Sequence, residues 1–234
     1  MTSLRLLLYG QSEGSKMCFS VHMSFLAAGV LSVIGLLSLR KVTHSTDTPL
    51  AALPLIFALQ QYAEGILWLW LPTGTYPILL ILAKYIFLTI ATIVWPLYIP
   101  FTLLIFEPVP IRRAFMASCL VLAMGWALGV IWYGSTYGAL AEIRSCHIYY
   151  EFPNPGTNFI LNGLIYCFII LAPFFASSYK TFRIFGGLIA LSCIITYLAW
   201  YYFFVSVWCF FAALLSTTIY FLIPFPVKRT ISSA

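Results

Sequence analysis

The sequence predicts an all-α fold, a polytopic bundle of transmembrane helices with seven spans, and three observations predict it. First, 62% of the 234 residues are hydrophobic and only 8% are charged, against about 25% charged in a soluble globular domain. A chain this size cannot fold in water without a polar skin, whereas lipid removes that requirement. Second, the apolar residues gather into runs of about 20, the length that crosses roughly 30 Å of hydrocarbon. Third, the basic residues behind the net charge of +6 stand in pairs between those runs, the pattern of the positive-inside rule.

The runs are taken in order. The first spans about 18–39 and stops at Arg40-Lys41; the second spans 49–71 and stops at Pro72-Thr73-Gly74. The third, 76–106, is long, and Pro96 and Pro100 should bend it. The fourth covers 114–133. A polar stretch from Gly134 to Asn158 follows, the longest loop, expected to be partly ordered on the membrane surface. The fifth span is 159–175. From Ile184 to Pro226 there is no charge at all, and one straight helix of that length would measure about 64 Å, twice the bilayer. It must fold back once. The expected turn is Tyr201 to Ser206, giving a sixth span at 184–200 and a seventh at 207–225.

Charge sidedness orients the bundle. With seven spans, Arg40, Lys41, Arg112, Arg113, Lys180, Arg183, Lys228 and Arg229 share one side, while the other side keeps Arg144 in its loops, plus Arg5 and Lys16 in the amino-terminal extension. That asymmetry puts the amino terminus outside and the carboxyl terminus in the cytoplasm. Trp68, Trp70, Trp132, Tyr133, Tyr149, Tyr150, Trp200, Tyr201, Tyr202 and Trp208 fall at the outer ends, as an interfacial belt does. The same charges suit anionic membrane lipids as partners and argue against nucleic acid.

Residues 1–16 carry an apolar run too short to span, followed by a polar stretch without a small-residue cleavage site. They are expected to be a disordered extension, or Met17 the natural start, with 17–234 forming a single transmembrane domain.

Ionisable residues within a span cost on the order of 3 kcal/mol and usually face a cavity or a partner. Glu64 lies in the second span and Lys84 in the third, about 10–12 Å below the outer ends and at nearly equal depth. Glu64 could serve as acid, base or cation ligand. The bland alternative is a buried ion pair, or a Lys84 that snorkels to the surface. Gln60 and Gln61 precede Glu64, and Gln60 shares its helical face. Interhelical hydrogen bonding alone could account for this cluster. Trp95 and Trp208 complete the candidate ligand-binding set, with Trp95-Pro96 readable equally as a packing kink.

A second set suits a metal. Cys18 and His22 open the first span at i, i+4, Cys209 lies about one turn into the seventh, and Cys146-His147 is in the outer loop. Zinc or copper could be held by Cys18, His22, Cys209 and His147; a disulfide from Cys18 or Cys209 to Cys146 is the competing reading. Cys119, Cys167 and Cys193 read as small buried apolar residues. Several chemistries are set aside: the seventh span has no lysine for a Schiff base, and neither a phosphate-binding glycine loop nor a GxSxG elbow occurs.

Four ordered blocks carry a resemblance: MCFSxxxSF at 17–25, QQxxEGxxWL at 60–69, WPxxxPxxLLxFEP at 95–108 and SVWCFFAALLS at 206–216. Together they resemble a family of uncharacterised bacterial multi-pass membrane proteins whose members begin with MCFS. The resemblance implies a bacterial membrane protein, with the inner membrane its expected site, and implies no activity or residue roles.

Three function classes follow. One is a protein that binds or transports a small polar or cationic molecule at an outward-facing cavity around Glu64. Another is a metal- or thiol-dependent membrane enzyme using Cys18, His22 and Cys209. The third is a structural or sensory partner of another membrane protein, or of further copies of itself.

Overall fold

The Ser20 hydroxyl accepts from the Met23 N–H at 3.4 Å and caps the first helix, α1, Val21–Arg40. The computed structural model describes residues 20–153 and 159–222. A 3₁₀ turn, Ser45–Asp47, leads into α2, Thr48–Trp70, which carries Pro49 in its first turn, where a missing N–H costs nothing. Gly74 and Tyr76, both at positive φ, reverse the chain into α3, Pro77–Thr89. A π turn, Ile90–Val94, joins α3 to α4, Trp95–Phe106, as one 30-residue rod. Helix α5, Pro110–Tyr137, ends at Gly138, whose φ of 70° favours glycine. Strands β1, Leu140–Arg144, and β2, His147–Glu151, form an antiparallel hairpin. Then come α6, Phe159–Ala176; α7, Lys180–Ala199; a 3₁₀ turn, Tyr201–Phe203; α8, Phe204–Ser216; and a short α9, Ile219–Leu222.

Six helical segments are long and apolar enough to cross a membrane: Val21–Arg40, Ser45–Trp70, Pro77–Phe106, Pro110–Tyr137, Lys180–Ala199 and Tyr201–Phe221; α6 is a shorter apolar helix. Their outward faces carry Leu26, Ile78, Ile111, Leu128 and Leu198, all more than half exposed. Such a continuous apolar exterior suits a lipid solvent.

The expected boundaries shift in two places. Helix α5 starts four residues before the expected 114 and runs past 133, because Pro110 is a favourable first helical residue and nothing in GSTY breaks the helix before Gly138. The reversal after α7 falls at Trp200–Phe203, not at Tyr201–Ser206, so Ser206 belongs to α8. The polar loop contains the hairpin, which its short HIYYE alternation signals only weakly. Residues 154–158 and 223–225 of the expected loop and last span lie outside the described residues.

Helix α2 is the most buried rod, packed by α1, α3 and α8; α4, α5, α6 and α7 close the other side of the bundle. Two ends result. At the basic end, Glu107 is buried and ties two turns together: its Oε1 accepts from the Val109 N–H (3.2 Å) and the Ser178 hydroxyl, and its Oε2 from the Ser178 N–H (2.8 Å). Lys41 sits 3.3 Å above the Tyr220 ring there. At the hairpin end, β2 lies against the bundle. Tyr150 stacks on Phe87 with centroids 4.6 Å apart, and His147 stacks on Phe203 at 4.7 Å.

Pro96 leaves a mark on the long rod. In the π turn the Trp95 N–H bonds to Ile90 O, and Pro96 offers no N–H to the carbonyls that follow. Ala91 O and Thr92 O are thereby freed, and neighbouring helices satisfy both. Tyr166 of α6 donates to Ala91 O at 2.5 Å, and Trp126 Nε1 of α5 donates to Thr92 O at 2.8 Å. The expected bend is thus also a docking point for two helices.

Cys167 of α6 and Cys193 of α7 are free thiols with sulfurs 3.8 Å apart. Dissolved oxygen with copper phenanthroline as catalyst should join them in isolated membranes, the two thiols giving up two hydrogens to form one disulfide. Peptide mass mapping checks this; a Cys167–Cys209 or intermolecular bridge in its place would mean that α6 and α7 pack differently.

Candidate functional site

The candidate site is built on one and a half turns of α2. Gln60, Gln61 and Glu64 are all buried, Glu64 to 1% exposure. This is possible because the face of α2 that carries them meets α1, α3, α4 and α8, while Leu59, Tyr62 and Leu69 on its other face stay exposed. Glu64 Oε1 accepts from the Ser206 hydroxyl of α8, and Oε2 accepts from Gln61 Nε2 at 3.3 Å. Gln60 turns to α4, its Oε1 accepting from Trp95 Nε1 at 3.0 Å, and the Cys209 sulfur lies beside its amide. Trp95 is held by stacking on Phe57 with centroids 4.0 Å apart.

Several polar atoms of this layer have no hydrogen-bond partner among the described residues: Gln60 Nε2, Gln61 Oε1, Trp68 Nε1 and the Tyr150 hydroxyl. Each buried orphan costs about 1–3 kcal/mol. Burial, and secondarily the Glu64 carboxylate, hold the Tyr150 hydroxyl well above its usual pKa, so it stays a proton donor throughout the physiological range.

Of the two bland alternatives, the ion pair of Glu64 with Lys84 does not form. Lys84 is half-buried and donates to Ala139 O at 2.5 Å, reaching along α3 toward the hairpin end as a snorkelling lysine does. Among the described residues the ion pair joins Arg144 to Glu142, leaving Glu64 without a basic partner. Nor does an open cavity border Glu64. The hairpin and the start of α8 close over it, so the expected outward-facing pocket is sealed in this conformation. Trp68, Tyr150 and Trp208, expected in an interfacial belt, are core residues for the same reason, while Trp132 and Tyr202 are exposed.

Trp208 points away from Glu64 and donates to Ser192 Oγ at 3.2 Å. Of the metal set, Cys18 lies outside the described residues; His22 is exposed, Cys209 is buried, and His147 is buried in the hairpin with Nδ1 2.8 Å from Ser145 O. Among the described residues no three histidine, cysteine or acidic side chains gather to hold a metal. Cys146 is exposed at the hairpin turn and Cys209 is buried, both as free thiols, so the expected disulfide between them is absent.

Sequence reasoning missed Ser206 and Tyr150. Ser206 was assigned to a turn, though it sits three residues before Cys209 and so shares its helical face. Tyr150 reaches the layer only through the hairpin.

Beside the layer, toward the basic end, lies a cavity of about 50 Å³ lined by Phe57, Trp95, Ile99, Tyr166, Trp208 and Ile219, among others, with Cys209 at its head.

No curated protein and no solved structure matches the chain. The model of a family of unknown function, DUF6629, matches residues 17–230, and the chain belongs to that family.

Proposed function

We propose that this is a seven-span protein of a bacterial inner membrane, a single transmembrane domain from residue 17 onward. Its amino terminus is outside, its carboxyl terminus cytoplasmic, and it binds a small polar or cationic molecule at Glu64. The topology is supported by α6, whose 18 residues measure about 27 Å, enough to cross. It is supported as well by the gathering of Arg40, Lys41, Arg112, Arg113, Lys180 and Arg183 at one end of the bundle. In that orientation Glu64 lies in the outer half of the membrane.

One observation carries the binding reading: a buried carboxyl that, among the described residues, has no basic partner and shares its layer with unpartnered donors and acceptors. A buried carboxylate is stabilised by a counter-charge, and an ammonium-type cation would supply it while donating to Gln61 Oε1 and to the Tyr150 oxygen. The sealed layer is the occluded form; ligand entry requires the hairpin to lift from Phe87 and Phe203.

Thermal unfolding in lipid nanodiscs tests this. Ethylammonium at saturating concentration should raise the melting temperature of the wild type by several degrees and that of Glu64→Gln by none. Equal stabilisation of both would remove Glu64 from the site.

A further inference from the structure

The third rod and α5 are tied to each other at two levels and part between them. Deep in the bundle, Trp126 Nε1 donates to Thr92 O at 2.8 Å. At the hairpin end, Lys84 Nζ donates to Ala139 O, just past α5, at 2.5 Å. Between the ties lies a crevice of about 430 Å³, within the range of small-molecule sites. One wall is drawn from residues 85–93, about 12 Å of helix, and the other from residues 130–139, with Phe152 at the hairpin end. Gly134 leaves the crevice open, since a Cβ there would meet nothing within 4 Å.

Two features say what fills it. The mouth opens on the lipid-facing surface, where Tyr85, Thr89, Ile131 and Ser135 are exposed. Hydroxyls in the wall turn back on their own helices: Thr92 donates to Leu88 O and Ser135 to Trp132 O, each at 2.8 Å. Beside Leu88, Ile93 and Val130 they present a wall that suits methylenes. The hairpin end, in contrast, carries charge. The Lys84 ammonium has three N–H groups, and among the described residues it has no carboxylate partner, the ion pair being Arg144 with Glu142. The rod Pro77–Phe106 has 30 residues and measures about 45 Å, the thickness of a bilayer with its head groups. Lys84 stands about 10 Å from the hairpin end of that rod, close to the hydrocarbon edge, and its stem reaches toward the head groups.

We propose that this crevice holds an anionic glycerophospholipid from the leaflet at the hairpin end. Its phosphate rests on the Lys84 ammonium, and the upper part of one acyl chain lies between the two helices, pointing toward Thr92. The remaining chain stays in the bilayer. The Tyr85 hydroxyl stands at the same rim, 4.0 Å from where a Gly138 Cβ would be, as a second donor. This lipid is distinct from any ligand of Glu64, and its site is the same whichever way the bundle faces.

The test uses the full chain in phosphatidylcholine nanodiscs doped with phosphatidylglycerol that carries a diazirine on one acyl chain. Photolysis and peptide mapping should find residues 130–135 labelled roughly fivefold more than by the matching phosphatidylcholine probe, the preference one lysine gives an anionic lipid. That excess should vanish in Lys84→Met, which keeps the stem and removes the charge. It should vanish too in Gly134→Leu and in Thr89→Leu, which fill the crevice from opposite walls. Gly129→Leu is the control: a Cβ there also meets nothing within 4 Å, but Gly129 lies outside the crevice, and the excess should persist. Both glycine variants should melt no lower than the wild type in lipid-free detergent, which shows that they fold. Equal labelling by the two probes in the wild type, or an excess that survives Lys84→Met, would overturn the phosphate site. An excess that survives both crevice-filling variants would place the chain elsewhere and overturn the crevice. Competition by free glycerol phosphate would mean a site for soluble phosphate and overturn the lipid.

Discussion

Gly186→Ala is expected to destabilise the bundle by about 1–3 kcal/mol, and Gly186→Leu by more. A methyl at Gly186 would stand 2.4 Å from Phe174 Cβ and 3.0 Å from its Cγ. Phe174 is buried and packs on Phe185 at 5.6 Å, so α6 and α7 must separate to make room. The neighbouring residue is the internal control. A methyl at Gly187 meets nothing within 4 Å, and Gly187→Ala should be neutral or stabilising by up to about 1 kcal/mol through helix propensity. Paired melting curves in one detergent check this; equal midpoints for the two alanine variants would contradict the close α6–α7 contact.

The largest loss is expected when Trp126→Phe and Tyr166→Phe are combined. Each removes the only side-chain donor, among the described residues, to a carbonyl that the π turn and Pro96 set free, Thr92 O and Ala91 O. An orphaned buried carbonyl costs about 1–3 kcal/mol, giving about 2–6 kcal/mol together. Pro96→Ala restores an N–H in the rod, and the double substitution should cost less in that background. Unfolding measured across this cycle decides it: the same loss with and without Pro96 would mean the proline is not the source of the free carbonyls.

Much of the fold was legible because lipid imposes simple rules. Uncharged runs of about 20 residues closed by Arg40-Lys41 or Arg112-Arg113 could hardly be anything but crossings, and Pro96 announced a disturbance in the third rod. The hairpin was not legible, since five-residue strands leave little periodicity and their register depends on contacts with Phe87 and Phe203. The site was half legible. A glutamate with two glutamines on one apolar helix stood out for its cost in hydrocarbon. Its partners did not: Ser206 lies 142 residues away, and where a turn lacks glycine or proline, sequence cannot say whether that serine starts a helix or precedes one. Lys84 misled for a related reason. Equal depth gives no information about direction around a helix, and its long stem let the ammonium reach Ala139 instead.

Everything proposed about Glu64 depends on an odd number of crossings with the basic end in the cytoplasm. Protease protection of epitope tags at the two termini, in spheroplasts before and after lysis, measures this most directly. The amino-terminal tag should be cleaved in intact spheroplasts and the carboxyl-terminal tag only after lysis. Cleavage or protection of both tags together would mean an even number of crossings, and an amino-terminal tag protected alone would invert the bundle and turn Glu64 toward the cytoplasmic half.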